Sequence, residues 1–281
     1  MKVLKISGIL TTAIVMLIMF AFLVPLDLKG MSKDSALHKK RIALLGEKIP
    51  VTSDGWSVIF HNEFIKKDDL KNWVTEDWAA EKNNELQYYT PSNILLDDGF
   101  LIISSKKERF KGREYTSGAL HTKGEFSFLY GRVEMRAKLP TGKGIFPAFW
   151  MMPDQDNVWL PEIDIMEHLG HESNKIWTVL HWENEEGELR SKASYHEGSD
   201  YSKDFHRYGV EWSTNEIKWM VDDEVIFAVH KRDGAVIPDE PMYLYLNTAI
   251  GGNWPGSPRE ETEFPQQFLI DYVRVFQKEE K

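Results

Sequence analysis

Cysteine is absent from this 281-residue chain. Its absence excludes disulfides, thiol nucleophiles and thiolate metal sites together, so the fold must be held by its core. Basic surplus is absent as well: 34 Lys and Arg stand against 44 Asp and Glu, a formal charge of -10. That balance repels polyphosphate and excludes nucleic acid as a partner. Sustained helical periodicity is scarce, and nowhere does an amphipathic 3.6-residue pattern run for more than about two turns. Long apolar runs are confined to one place, residues 6–25, "ISGILTTAIVMLIMFAFLVP", which carries no charge and follows Lys2 and Lys5. This is an export signal. It lies at the lower length limit for a membrane span and lacks a small-x-small cleavage site, so residues 1–25 are either a cleaved signal peptide or a signal anchor. Residues 26–50 are polar and basic without a pattern and read as a linker. Any membrane association is expected through the N-terminal segment alone.

What the rest of the chain does have is period two. In "GRVEMRAKL" Val133, Met135, Ala137 and Leu139 alternate with Arg132, Glu134, Arg136 and Lys138, the pattern of a half-buried strand. "IKWMVDDEVIFAV" reads as two strands joined at Asp222-Asp223, and "LLDDGFLIISS" as a turn at Asp97-Asp98-Gly99 leading into another strand. "FLIDYVRVF" is a further strand near the C-terminus. Short strands between Gly, Pro, Asn and Asp clusters predict an all-β fold, a β-sandwich of the jelly-roll kind in one domain over residues 51–281.

One strand is unusual. "WLPEIDIMEHLG" places Glu162, Asp164 and Glu167 among Ile163, Ile165, Met166 and Leu169. Alternation puts Glu162 and Asp164 on one face and both isoleucines on the other, but leaves Glu167 with the wrong parity. A β-bulge at Ile165-Met166 adds one residue and returns Glu167 to the face of the other acids. Paired carboxylates so arranged suit retaining glycoside hydrolysis, in which the two groups stand about 5 to 5.5 Å apart. Glu162 is then the nucleophile and Glu167 the acid that protonates the leaving oxygen, with Asp164 between them; clustering raises at least one of their pKa values. A calcium site or a solvated edge strand would use the same acids. A sugar site also needs flat aromatics and amide or imidazole donors. Trp150, Trp159, His181, Trp182, Asn247, Asn253 and Trp254 lie in nearby segments and supply them. His168, His171 and Glu172 in "MEHLGHE" lack the helical spacing of a zinc motif. "GKG" at residues 142–144 is too short for a phosphate loop and reads as a turn.

Six blocks in order, "NNELQYYT", "GRVEMRAKLPTGKGIFPAFWMMP", "EIDIMEHLG", "FHRYGVEWSTNEIKWMVDD", "LYLNTAIGGNWPG" and "FPQQFLIDYVRVFQ", resemble glycoside hydrolase family sixteen over residues 56–277. Within it they are similar to the laminarinase-type endo-β-1,3-glucanases. The resemblance implies a β-glucan polysaccharide as substrate, Glu162 as nucleophile, Glu167 as acid/base and Asp164 as assisting acid. It further implies a cleft lined by Asn83, Glu134, Arg136, Trp150, Trp159, His181 and Trp254. No cofactor is expected for catalysis. Many members carry a structural calcium ion on the convex side, and the matching positions are Glu63, Gly99 and Asp271, with the oxygen ligands calcium prefers. Two departures stand beside the cleft: Phe146 where the family usually has Trp, and Pro161 where it usually has a longer loop ending in Gly. The expected activity is that of a retaining endo-β-1,3-glucanase, monomeric and outside the cell. A mixed-linkage β-1,3/1,4-glucanase, a transglycosylase and a non-catalytic glucan-binding protein are the alternatives on the same fold.

Overall fold

The acidic turns foreseen in the sequence close two hairpins in the computed structural model, which describes residues 55–278. β5 (Ile94–Asp97) and β6 (Phe100–Ser105) meet at Asp98 and Gly99, whose φ angles are 44° and 78°. β16 (Glu216–Val221) and β17 (Glu224–His230) meet at Asp222 and Asp223, with φ of 50° and 74°. Two successive positive φ values mark the two-residue turn whose twist matches that of paired strands.

These hairpins belong to one face of a sandwich. A back sheet of eight strands runs β17, β16, β15 (His206–Trp212), β10 (Gly131–Lys138), β19 (Gln266–Lys278), β6, β5, with β1 (Trp56–Asn62) also paired to β19. A front sheet of eight runs β14 (Leu189–Glu197), β13 (Lys175–Glu183), β12 (Glu162–Glu167), β11 (Ile145–Pro153), β18 (Met242–Ile250), β8 (Ala119–His121), β2 (Val74–Thr75), with β9 (Ser127–Phe128) paired to β18. Both are antiparallel throughout. A small third sheet of β3 (Trp78–Ala79), β4 (Gln87–Tyr89) and β7 (Tyr115–Ser117) flanks them. Helix among the described residues is limited to short 3-10 turns. The all-β sandwich jelly roll expected from the alternation is therefore what the chain forms.

The core lies between the two large sheets. Val133, Met135 and Ala137 of β10 point inward, as do Phe149 and Met151 of β11 and Ile163 of β12, and all are fully buried in one cluster. Burial of each large apolar side chain contributes about 2 kcal/mol, which places the stability of a cysteine-free fold in this layer. The N-terminal hydrophobic run and the linker lie outside the described residues. Among the described residues no helix is long and apolar enough to cross a membrane.

The outer face of the back sheet corrects one expectation. Glu134 and Arg136 do alternate with the core residues of β10, but β10 belongs to the back sheet, so they face away from the cleft-bearing side. Glu134 accepts hydrogen bonds from the Tyr272 hydroxyl at 2.5 Å and from Arg132 Nη2 at 2.9 Å. Arg136 donates to Asp271 at 2.8 Å, and its guanidinium lies 4.7 Å from the Phe205 ring. Alternation tells which residues share a face, not which sheet that face belongs to. The expected calcium residues lie in the same region. Glu63 is held bidentately by Arg274 at 2.8 and 3.0 Å, and Asp271 by Arg136, while Gly99 forms the β5–β6 turn. Carboxylates neutralised by guanidinium do not fit a calcium ion held by both side chains.

Candidate active site

The front sheet carries a cavity of about 510 Å³ on its outer face. Its floor is β12 and its neighbours. Pairing with β11 sets Phe149 opposite Met166 and Trp150 opposite Asp164, so Ile165 has no partner there. Against β13, Asp164 pairs with Val179 and Glu167 with Trp177, which leaves Ile165 and Met166 facing Thr178 alone. The bulge thus sits at Ile165-Met166. Ile163, Ile165 and Met166 enter the core, while Glu162, Asp164 and Glu167 all line the cavity. Beside the bulge, the Asp164 carbonyl is met from the opposite sheet, where Trp219 Nε1 of β16 donates to Asp164 O at 2.8 Å.

Electrostatics follow from crowding. Burial, reinforced by the charges of Asp164 and Glu162, pushes the Glu167 carboxyl well above the usual carboxylate range. Burial also raises Glu162, with Asp164 adding to the effect and the Lys82 ammonium opposing it. Asp164 is raised by burial, against the pull of His181. Its Oδ2 has no aligned hydrogen-bond donor and sits 3.3 Å from His181 Nε2. Donor atoms of Glu162, Asp164 and His181 lie within 4.8 Å of one another, a spacing a cation could also use. The third acid on the same floor, Glu167, is outside that group, and the trio with its mutual repulsion fits acid chemistry better.

Aromatic and amide groups wall the cleft. Trp150 Nε1 donates to Asn247 Oδ1 at 2.9 Å, Asn247 Nδ2 donates to the Tyr89 hydroxyl at 3.0 Å, and the Trp150 ring lies 4.6 Å from Tyr245. Trp159 is 56% exposed, with Lys82 Nζ 3.2 Å from its ring centroid. On the far side Phe146, Trp254, Trp177 and Tyr195 form a chain of ring contacts at 5.4, 5.3 and 5.0 Å. The loop bearing Asn83 and Glu85 is fastened to the end of β18: Leu86 N donates to Ile250 O at 2.8 Å and Ile250 N to Gln87 Oε1 at 2.8 Å. Gly251, at φ 72°, is needed there, because a Cβ would meet Leu86 at 2.5 Å.

Of the residues expected in the cleft, Asn83, Trp150 and Trp159 line the cavity with the three acids. His181 abuts Asp164, and Trp254 stands edge-on to the cavity residue Phe146. Trp182 is a core residue instead, because its parity on β13 is opposite to that of His181. Asn253 braces the cleft loop, accepting from Asn84 Nδ2 at 2.7 Å. His168 is buried with Nδ1 on the Lys175 carbonyl at 2.9 Å, a structural role. Sequence reasoning overlooked Tyr243 and Tyr245, which share the parity of Asn247 along β18 and could have been found by it. It also overlooked Glu76, Glu85, Tyr89 and His121. Glu76 accepts from the Tyr245 hydroxyl at 3.0 Å and faces His121 Nε2 at 3.5 Å, a pairing between distant segments with no local signal.

A β-sandwich with three carboxylates on the floor of an aromatic cleft defines a carboxylate-based glycoside hydrolase. Comparison with known proteins gives the family. The model of "Glycosyl hydrolases family 16" matches residues 72–274, and the chain belongs to that family. It is 35% identical over 266 residues to a beta-glucanase of Rhodothermus marinus, covering 83% of this chain and 90% of the relative. Among solved structures, the laminarinase catalytic domain of Thermotoga maritima superposes with a TM-score of 0.73 at 34% identity, covering 80% of this chain and 99% of that one. An endo-beta-1,3-glucanase from Pyrococcus furiosus does so with 0.72 at 36%, covering 80% and 96%.

Proposed function

We propose that the protein hydrolyses internal β-1,3 linkages of laminarin-type glucans by double displacement, with Glu162 as nucleophile and Glu167 as acid/base. The observation that carries this reading is the bulged strand β12, which sets three carboxylates, Asp164 buried and both glutamates half-buried, side by side on the floor of the cleft. In the first step the Glu162 carboxylate attacks the anomeric carbon while Glu167 gives its proton to the departing glycosidic oxygen. In the second, Glu167 takes a proton from water, the water oxygen attacks the anomeric carbon, and Glu162 leaves. The environments of the two acids support these roles. Only Glu162 has a cation, Lys82, drawing it toward the ionised form, whereas burial and two neighbouring acids hold the proton on Glu167. Asp164, against His181 and close beside Glu162, would position the Glu162 carboxyl. The similarity to beta-glucanases and laminarinases supports the choice of glucan.

Reducing-sugar release from laminarin, lichenan, agarose and carrageenan tests the substrate, with laminarin expected first. Release from none of them would favour a binding protein. For the mechanism, azide rescue of Glu162→Ala should yield an α-glycosyl azide, since azide then enters from the face the carboxylate has vacated. A β-product would reverse the two roles. Because a glucan polymer does not cross a membrane, we place the domain outside the cell; the mass of the mature N-terminus distinguishes a cut signal from an anchor.

A further inference from the structure

The side-by-side acids depend on a distortion of the backbone, and the distortion has a partner in the opposite sheet. A bulge takes one residue out of the ladder and turns a peptide group away from its strand neighbours. Here the Asp164 carbonyl is tilted into the core, because its donor, the indole of Trp219, comes from β16 on the far side of the sandwich at 2.8 Å. A buried carbonyl deprived of a donor is costly in an apolar interior. Trp219 is fully buried and stacks obliquely on Phe227 at 5.2 Å, so the indole has little freedom to lose the contact. Indole N–H is a donor only, so the bond has one polarity and one geometry. Asp164 is the residue between the two glutamates, its side chain in the cleft and its carbonyl on the core side.

We propose that Trp219 is a positioning residue for catalysis: its N–H pins the Asp164 carbonyl and thereby fixes the bulge that brings Glu162 and Glu167 to one face. It touches no substrate, and it rests on the reading of these acids as the reacting groups. Relaxation of the bulge would shift one glutamate relative to the other, and a displacement of about 1 Å can cost on the order of a hundredfold in rate.

The test compares two replacements in the full chain with the wild type on laminarin. Trp219→Phe removes the N–H and some volume. Incorporation of benzothienylalanine at 219 keeps the ring shape and replaces N–H by sulfur, so packing is retained even if Trp219→Phe folds poorly. The expected result for the benzothienyl protein is a fall in kcat on the order of tenfold or more, KM within about twofold, and altered spacing between the two limbs of the pH profile of kcat/KM. A purely structural role would lower thermal stability and leave kcat and the pH limbs unchanged well below Tm, and that result overturns the inference. Glu162→Gln measured in parallel separates the two ideas. If it is inactive while the benzothienyl protein turns over normally, only the role of Trp219 falls; if Glu162→Gln turns over normally, the reading of the acids falls with it.

Discussion

On the outer face of the back sheet, Glu63, Glu134 and Asp271 each accept from an arginine, with Tyr272 adding a second donor to Glu134. On the outer face of the front sheet, Glu162, Asp164 and Glu167 have chiefly one another, with His181 and Lys82 both toward the Glu162 end. One of the back-face acids, like the front-face trio, sits at a bulge: β19 shifts register where Asp271 and Tyr272 face Arg136, and β12 shifts at Ile165-Met166. The same backbone device therefore serves two ends. Paired with guanidinium, bulge-borne acids fasten strands together; crowded without it, they keep protons that chemistry can use.

The largest effect expected from this contrast is on turnover. Glu162→Gln and Glu167→Gln should each lower kcat on laminarin on the order of a thousandfold, since each removes a group that transfers a proton or forms a bond. Asp271→Asn on the back sheet should leave kcat per folded molecule close to that of the wild type. A comparable loss of kcat in Asp271→Asn would erase the distinction between the faces.

Next in size is stability. Asp271 is 1% exposed and its carboxylate accepts from Arg136 at 2.8 Å, so Asp271→Asn, which removes the charge of that pair, should lower the unfolding free energy by about 3 kcal/mol. Urea midpoints at constant m report it. A smaller loss, under about 1 kcal/mol, would mean that the other contacts of the guanidinium, the Phe205 ring among them, hold it without the charge of Asp271.

How the sequence reads against these faces depends on the length of the physical signal. Strands, both hairpin turns and the bulge were legible, because period two, Asp-Asp and Asp-Gly pairs, and the off-parity Glu167 are local. The assignment of Glu134 and Arg136 to the cleft was not sound, because strand order is set by pairing across the chain: β10 lies between β15 and β19, both of which come much later in the sequence, and nothing in "GRVEMRAKL" says so. The same limit hid Glu76 and His121, whereas Trp182 was legible from local alternation, because its parity on β13 is opposite to that of His181.

Opposite signs of stability sharpen the comparison further. Glu167 has a folded-state pKa raised by burial first and by its acidic neighbours second. A carboxyl raised on folding is bound to a proton that the unfolded chain releases, so it costs stability as pH climbs above the unfolded value of about 4.3 toward the folded one, and costs nothing below that window. Glu167→Gln should therefore raise Tm by a few degrees at neutral pH, with the gain gone below about pH 4. Scanning calorimetry at the two pH values decides it, and a variant less stable than wild type at neutral pH would mean that the front-sheet acids are satisfied after all. Active sites commonly hold such strain in exchange for function.

The smallest effect concerns calcium. The resemblance places an ion near Glu63, Gly99 and Asp271, yet Arg274 takes both oxygens of Glu63 and Arg136 takes an oxygen of Asp271. Calcium binding stabilises a fold by RT ln(1 + [L]/Kd), so a bound structural ion would make the urea midpoint depend on free calcium. With arginine already supplying the positive charge, the midpoint should be the same in chelator and in millimolar calcium. A midpoint that rises with calcium would show that these arginines yield their carboxylates to a harder cation, and the division between a guanidinium-paired back face and a self-crowded front face would then hold only in the ion-free protein.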